Sequence, residues 1–185
     1  MATNNAANNF PPPFMTLVST TVASNQATVD LTAGLSSAYK WMKIVATGIQ
    51  LANNGGQALW MRFSNDGGLT YDTGNNYSYN EQFFGSDSNN DWNRSSADGK
   101  ILVMLPYPDS VTATNSGSLE IDLYNVNSAS MFTTMQGLVT ANQVAVNYSI
   151  RFSGSYNIVT TTSAIRFLGA NGNIIAGNFY LYGVN

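Results

Sequence analysis

From Met15 onward the chain consists of short runs in which apolar and polar residues alternate, separated by clusters of Asn, Gly, Ser and Asp. Alternation with a period of two marks a strand with one buried face, because successive side chains point to opposite sides. The clearest run is 144–152. Val144, Val146, Tyr148, Ile150 and Phe152 share one face, and Ala145, Asn147, Ser149 and Arg151 share the other. Shorter runs occur at Ala27, Val29 and Leu31, at 58–63, 77–84, 100–105, 119–124, 164–168 and 179–183. The stretch 41–51 (WMKIVATGIQL) is apolar on nearly both faces, as a central strand covered from two sides would be. Asn53-Asn54-Gly55-Gly56 after it is a hairpin signal. Helical periodicity is nearly absent. Met131, Met135 and Leu138 lie at i, i+4 and i+7, but Gly137 and two threonines leave a strand and one short helical turn as equal readings. Many short strands with Asn/Gly turns predict an all-β fold: one antiparallel, jelly-roll-like β-sandwich over residues 15–185. The longest polar stretch, 85–99 (GSDSNNDWNRSSADG), reads as a loop.

Such a sandwich must stand on its packed core, because the 185-residue chain has no cysteine to form a disulfide. A single domain of this size buries about 70% of its unfolded surface, enough to be stable without staples. Histidine is absent as well, which removes Ser-His-Asp and Cys-His catalysis and His/Cys zinc sites. The polar surface is mostly uncharged: 7 Lys+Arg and 10 Asp+Glu make up 9% of the chain. A net charge of −3 with so few basic residues argues against a nucleic-acid partner. No apolar run reaches the ~20 residues of a membrane span, so no membrane insertion is expected. The first ten residues have neither the basic nor the apolar region of a signal peptide.

Residues 1–14 (MATNNAANNFPPPF) read as an extended arm. Pro11, Pro12 and Pro13 favour a polyproline conformation and exclude a helix or a central strand. Phe10 and Phe14 flank that stiff run and are candidate anchors for attachment to a neighbouring subunit or a larger assembly. The bland alternative is a floppy leader.

Candidate chemistry is sparse. Glu81 and Glu120 are the two glutamates, and Glu120 and Asp122 share the polar side of a strand opposite Leu119, Ile121 and Leu123. A glycosidase needs two carboxyls about 5–9.5 Å apart across a cleft, and nothing in the spacing marks such a pair. Asn65-Asp66-Gly67-Gly68, Asp87, Asp91 and Asp98 carry oxygen ligands suited to calcium, but the EF-hand spacing is absent and Asp-Gly reads as a tight turn. No phosphate-binding glycine loop occurs. The expectation is therefore a protein without catalytic, metal or cofactor sites. Aromatics supply the remaining hint. Tyr77, Tyr79 and Trp92 lie among Asn, Asp and Ser in a stretch crowded with rings, and are candidate contacts for a glycan or a neighbouring subunit.

Two stretches carry a resemblance. Residues 59–72 (LWMRFSNDGGLTYD), followed by Thr73 through Tyr79, resemble a pattern of tailed-bacteriophage virion proteins, in which a strand ends in a Phe-Ser-x-Asp-Gly-Gly turn and leads to a Tyr-rich strand. Residues 163–184 (SAIRFLGANGNIIAGNFYLYGV) resemble the ending of the same proteins through Ile165, Phe167, Gly172, Asn173, Ile174, Gly177, Leu181, Tyr182 and Gly183. The resemblance covers about a third of the chain. It implies a non-enzymatic β-sandwich component of a virion, of the tail-fibre, head-fibre or capsid-decoration type. Homo-oligomers, trimers foremost, and other virion proteins are then the expected partners. A carbohydrate-binding module that adsorbs to a bacterial surface glycan is the competing expectation.

Overall fold

A computed structural model describes residues 14–35, 38–52, 58–88, 90–104, 115–143 and 146–185. Phe10, Pro11, Pro12, Pro13, the 53–56 turn signal, Val144 and Ala145 lie outside them. Among the described residues the regular structure is all strand. In chain order it comprises β1 (Met15–Gln26), β2 (Thr28–Leu31), β3 (Trp41–Leu51), β4 (Leu59–Ser64), β5 (Tyr77–Gly85) and β6 (Asn90–Asp98). Then follow β7 (Ile101–Met104), β8 (Ser116–Tyr124), β9 (Thr133–Gln143), β10 (Val146–Tyr156), β11 (Ala164–Gly169) and β12 (Ile174–Val184).

Two antiparallel sheets form. The larger has the order β1-β12-β3-β8-β9-β10-β5-β6, and the smaller β2-β11-β4-β7. Eight of these strands make a jelly roll. The pairs β1–β12 and β3–β8 lie side by side in the large sheet, and their continuations β2–β11 and β4–β7 lie side by side in the small one. Each ribbon thus runs through both layers and folds over the core. The β5–β6 hairpin is inserted between β4 and β7, and β9 and β10 between β8 and β11. All four inserted strands widen the large sheet.

The change of layer is clearest at the start. Only Ala27 separates β1 from β2, and Asn25 bends the chain there with φ 53°. Asn173, before β12, donates from Nδ2 to the carbonyl and side-chain oxygens of Asn25 at 3.1 and 3.0 Å and ties the corner. Between the sheets lies one core. Met42, Ile44, Met61, Phe63, Ile121, Phe167, Phe179 and Leu181 are fully buried, and the Phe167 and Phe179 rings meet at 5.1 Å. Burial of such side chains is the main force holding the layers together.

Several expectations change. The 53–56 signal does not mark a hairpin: β3 and β4, on either side of it, belong to different sheets. Polar stretch 85–99 is not a loop but most of a hairpin, with β6 pairing to β5 from Tyr77↔Asp98 to Phe84↔Asn90. Seven of the nine residues of β6 are exposed, so the strand needs no apolar alternation. β3 is covered on one side only, with Met42, Ile44 and Ala46 inward and Trp41, Lys43 and Val45 half-buried on the other face. Of the two equal readings of the segment 131–138 the strand holds, from Thr133 onward, in β9. Its Gly137 leaves room for the Phe152 ring of β10, which lies where a Cβ would be.

Candidate functional site

The inserted strands turn the outward face of the large sheet into a broad surface. Register fixes which side chains line it. One row runs Trp92–Gln82–Arg151–Leu138–Glu120–Val45 across β6, β5, β10, β9, β8 and β3. The next runs Arg94–Asn80–Ser153–Gln136–Asp122–Lys43 across the same strands. At about 4.8 Å per strand the two rows cover roughly 24 Å.

Each row has a polar and an apolar part. Trp92 is 57% exposed, and the Arg94 guanidinium lies 4.5 Å from the centre of its ring. Asn80 Nδ2 donates to Ser153 Oγ at 2.8 Å, and Ser78 and Ser155 share a 2.8 Å hydroxyl bond alongside. Leu138 and Phe84 are exposed apolar side chains on the same face. Two shallow grooves of about 510 and 950 Å³ adjoin here and share Asn80 and Ser153.

The charges are arranged unequally. Lys43 Nζ contacts Glu120 at 2.9 Å and Asp122 at 3.1 Å. Burial works against the ammonium charge, but hydrogen bonds and attraction from the two carboxylates outweigh it and raise the Lys43 pKa. Both acids at this end are therefore committed to a cation. At the other end, Arg94 and Arg151 form no ion pair among the described residues. The surface thus offers an indole, amides, hydroxyls and two guanidinium groups, a set suited to hydrogen bonding and stacking.

The three candidate aromatics part company. Tyr77 is fully buried and is no surface contact. Its hydroxyl accepts the Phe63 N–H at 3.0 Å and donates to the Asp72 carbonyl at 3.1 Å, and its ring stacks on Tyr156 at 5.1 Å. Burial pushes its pKa well up. Tyr79 is half-buried on the inner side of β5 and packs against the core. Only Trp92 lies on the outward face. From the arm, Phe14 is 68% exposed, and its carbonyl accepts the Asn185 N–H at 3.2 Å.

The Asn65–Gly68 segment is a turn, with φ of 78° and 91° at Gly67 and Gly68. Asp66 accepts from the Thr70 N–H and hydroxyl and from Ser64 Oγ, bonds that hold its pKa far below the ordinary value. The same turn docks on the C-terminal stretch: the Gly67 N–H donates to Ser163 Oγ at 2.8 Å, and the Ser163 N–H to the Ser64 carbonyl at 2.8 Å. No group of three or more His, Cys, Asp or Glu side chains placed to hold a metal occurs among the described residues.

Sequence reading missed Arg94 and Gln82 beside Trp92, and Arg151 and Leu138 further along the same face. Arg151 was visible on the polar side of its strand. Strand order alone brings residues 82, 92, 138 and 151 into one row, and alternation within a strand does not report strand order. No family model matches this sequence, and neither a curated protein nor a solved structure was found to match it.

Proposed function

We propose that this chain is a non-enzymatic structural subunit of a bacteriophage virion, a fibre subunit of tail or head or a capsid decoration protein. It attaches through residues 1–14 and contacts its neighbours with the jelly-roll body. One observation carries the reading. The two stretches that resemble virion proteins lie about a hundred residues apart in sequence yet form one structural unit. Phe63 pairs with Ile165 across β4 and β11, and the turn after Phe63 is hydrogen-bonded to Ser163. A likeness spread over two distant segments that fold against each other is more than a chance turn motif. The architecture agrees, since double-sheet jelly rolls serve as capsid domains. Fold alone carries no function, so the resemblance supplies that step.

Mass spectrometry of purified particles of the phage that encodes this chain should find it at a fixed copy number. Deleting residues 2–13 should leave circular dichroism and Tm unchanged and abolish incorporation. Absence of the chain from particles defeats the virion reading, and normal incorporation of the deletion variant defeats the arm.

Exposed Trp92, beside Arg94 and the amides of Asn80 and Gln82, favours a second reading, recognition of a bacterial surface glycan. Trp92→Ala should then lose adsorption to cells with stability changed by no more than about 0.5 kcal/mol, as expected for an exposed site.

A further inference from the structure

The large sheet ends at β1, a twelve-residue strand with neither a charge nor a proline. Among the described residues its main chain pairs with β12 alone. An open strand edge is a template for another strand, and folded proteins shield such edges by shortness, charge, proline or a covering segment. The other three edges here are shielded. β6 carries Asp91, Arg94 and Asp98 within nine residues. β2 has four residues, one of them Asp30, which is held by Arg166 at 2.6 Å. β7 has four residues, all buried. Among the described residues β1 has no charge, no proline and no covering strand, and its one irregularity, between Leu17 and Ser19, leaves the run from Ser19 to Ser24 regular.

We infer that β1 pairs antiparallel with β1 of a second copy, joining two large sheets across a twofold axis. The chemistry of the edge selects this occupant. A row of unpaired N–H and C=O groups is matched by another strand edge, and an uncharged edge avoids the cost of taking ions out of water. A second β1 meets both conditions, sets no like charges opposite each other, and gives the self-complementary contact that a twofold requires.

Register follows from the exposed side chains. Beyond the irregularity between Leu17 and Ser19, β1 pairs regularly with β12 to Ala176. In this part Thr20, Val22 and Ser24 face outward and are exposed, and Val22 is an aliphatic side chain 60% exposed at the centre. An axis at Val22 sets it against the second copy's Val22, and Thr20 against the second copy's Ser24, all on one face. Leu17, 53% exposed, lies on the same face beyond the irregularity.

The absence of cysteine makes the test clean, because any introduced thiol is unique. Directly opposed residues of an antiparallel pair lie about 4.5–5.5 Å apart at Cα, within reach of a disulfide. Thr20 and its own copy would be separated by four residues along the strand, about 13 Å, which is out of reach. Light scattering on the full-length protein should give twice the mass of one chain. Mild oxidation should cross-link Val22→Cys but not Thr20→Cys, whereas a mixture of Thr20→Cys and Ser24→Cys should cross-link. Val22→Lys should return the mass to that of one chain while leaving the circular dichroism spectrum that of a folded β protein, and its Tm, unlike that of the wild type, should not depend on protein concentration. A wild-type mass of one or three chains, a Val22→Lys dimer, or equal cross-linking of Val22→Cys and Thr20→Cys would overturn the inference. All of these measurements use purified protein, so they are decided independently of whether the chain is found in virions.

Discussion

Tyr77 completes the main-chain bonding of β4 where the ladder leaves it open. The Phe63 N–H is buried, and the phenol of Tyr77 is its acceptor. The Tyr77→Phe variant keeps the ring and its stacking on Tyr156 but orphans that N–H, so it should lose about 1–3 kcal/mol in chemical denaturation. A change within a few tenths would mean that the bond is unimportant. In sequence this tyrosine looks the same as an exposed one: it stands among Asn and Ser, and only the fold shows that its hydroxyl is spent on another strand. Arg166 looks similarly out of place between apolar neighbours. The structure gives it a bidentate pair with Asp30 at 2.7 and 2.6 Å and a position 3.9 Å over the Tyr71 ring. Side chains that bond across distant segments carry no local signature. Those that only point inward or outward do, as Val146, Tyr148, Ile150 and Phe152 show.

Legibility of the strands follows what each one buries. β10, with one apolar and one polar face, could be read correctly in its faces from Val146 to Phe152, although the strand runs four residues further, to Tyr156. β1 could not, because its inward positions include Ser19, Thr21 and Ala23, which pair and pack but show little hydrophobic contrast with Thr20 or Ser24. β6 was hidden for the opposite reason: seven of its nine residues are exposed, so its sequence is that of a polar loop. That difference has a dynamic consequence. An outermost strand with few buried contacts opens at low cost, whereas β3, with neighbours on both sides and a buried face, opens only with the core. Hydrogen exchange should therefore find the β6 amides exchanging well before those of β3, β8 and β10. Comparable protection in β6 and β3 would show that another surface covers the edge.

Across the whole molecule the few ionisable groups predict a broad stability plateau. There is no histidine, so no side chain has an ordinary pKa near neutrality. Asp66 and Asp72 titrate below their ordinary 3.8 in the folded chain. For Asp66 the Thr70 hydroxyl is the leading cause. For Asp72 burial opposes the charge and is outweighed by bonds from Gly74, Asn76 and Tyr156. The unfolded chain then binds protons first, so this stabilisation is complete above about pH 4 and fades as pH falls below it. At the basic end, burial raises Tyr71 to about 12 and also raises Tyr77, Tyr79 and Tyr156, while Lys43 is raised by its two acids. All of these favour the folded state below about pH 10 and lose their effect above it. Tm should stay flat between about pH 5 and 9 and fall on both sides, and Asp72→Asn should narrow its deficit to wild type as pH drops from about 5 to 2. A strong slope near pH 7 would contradict this. The pairing of Met15 with Val184 has a mechanical meaning as well. Residues 14 and 185 leave the same end of one antiparallel ribbon, joined by the bond between the Phe14 carbonyl and the Asn185 N–H. Tension between those two points would peel β1 from β12 one rung at a time, whereas tension on residue 14 alone would be passed into the body of the sheet.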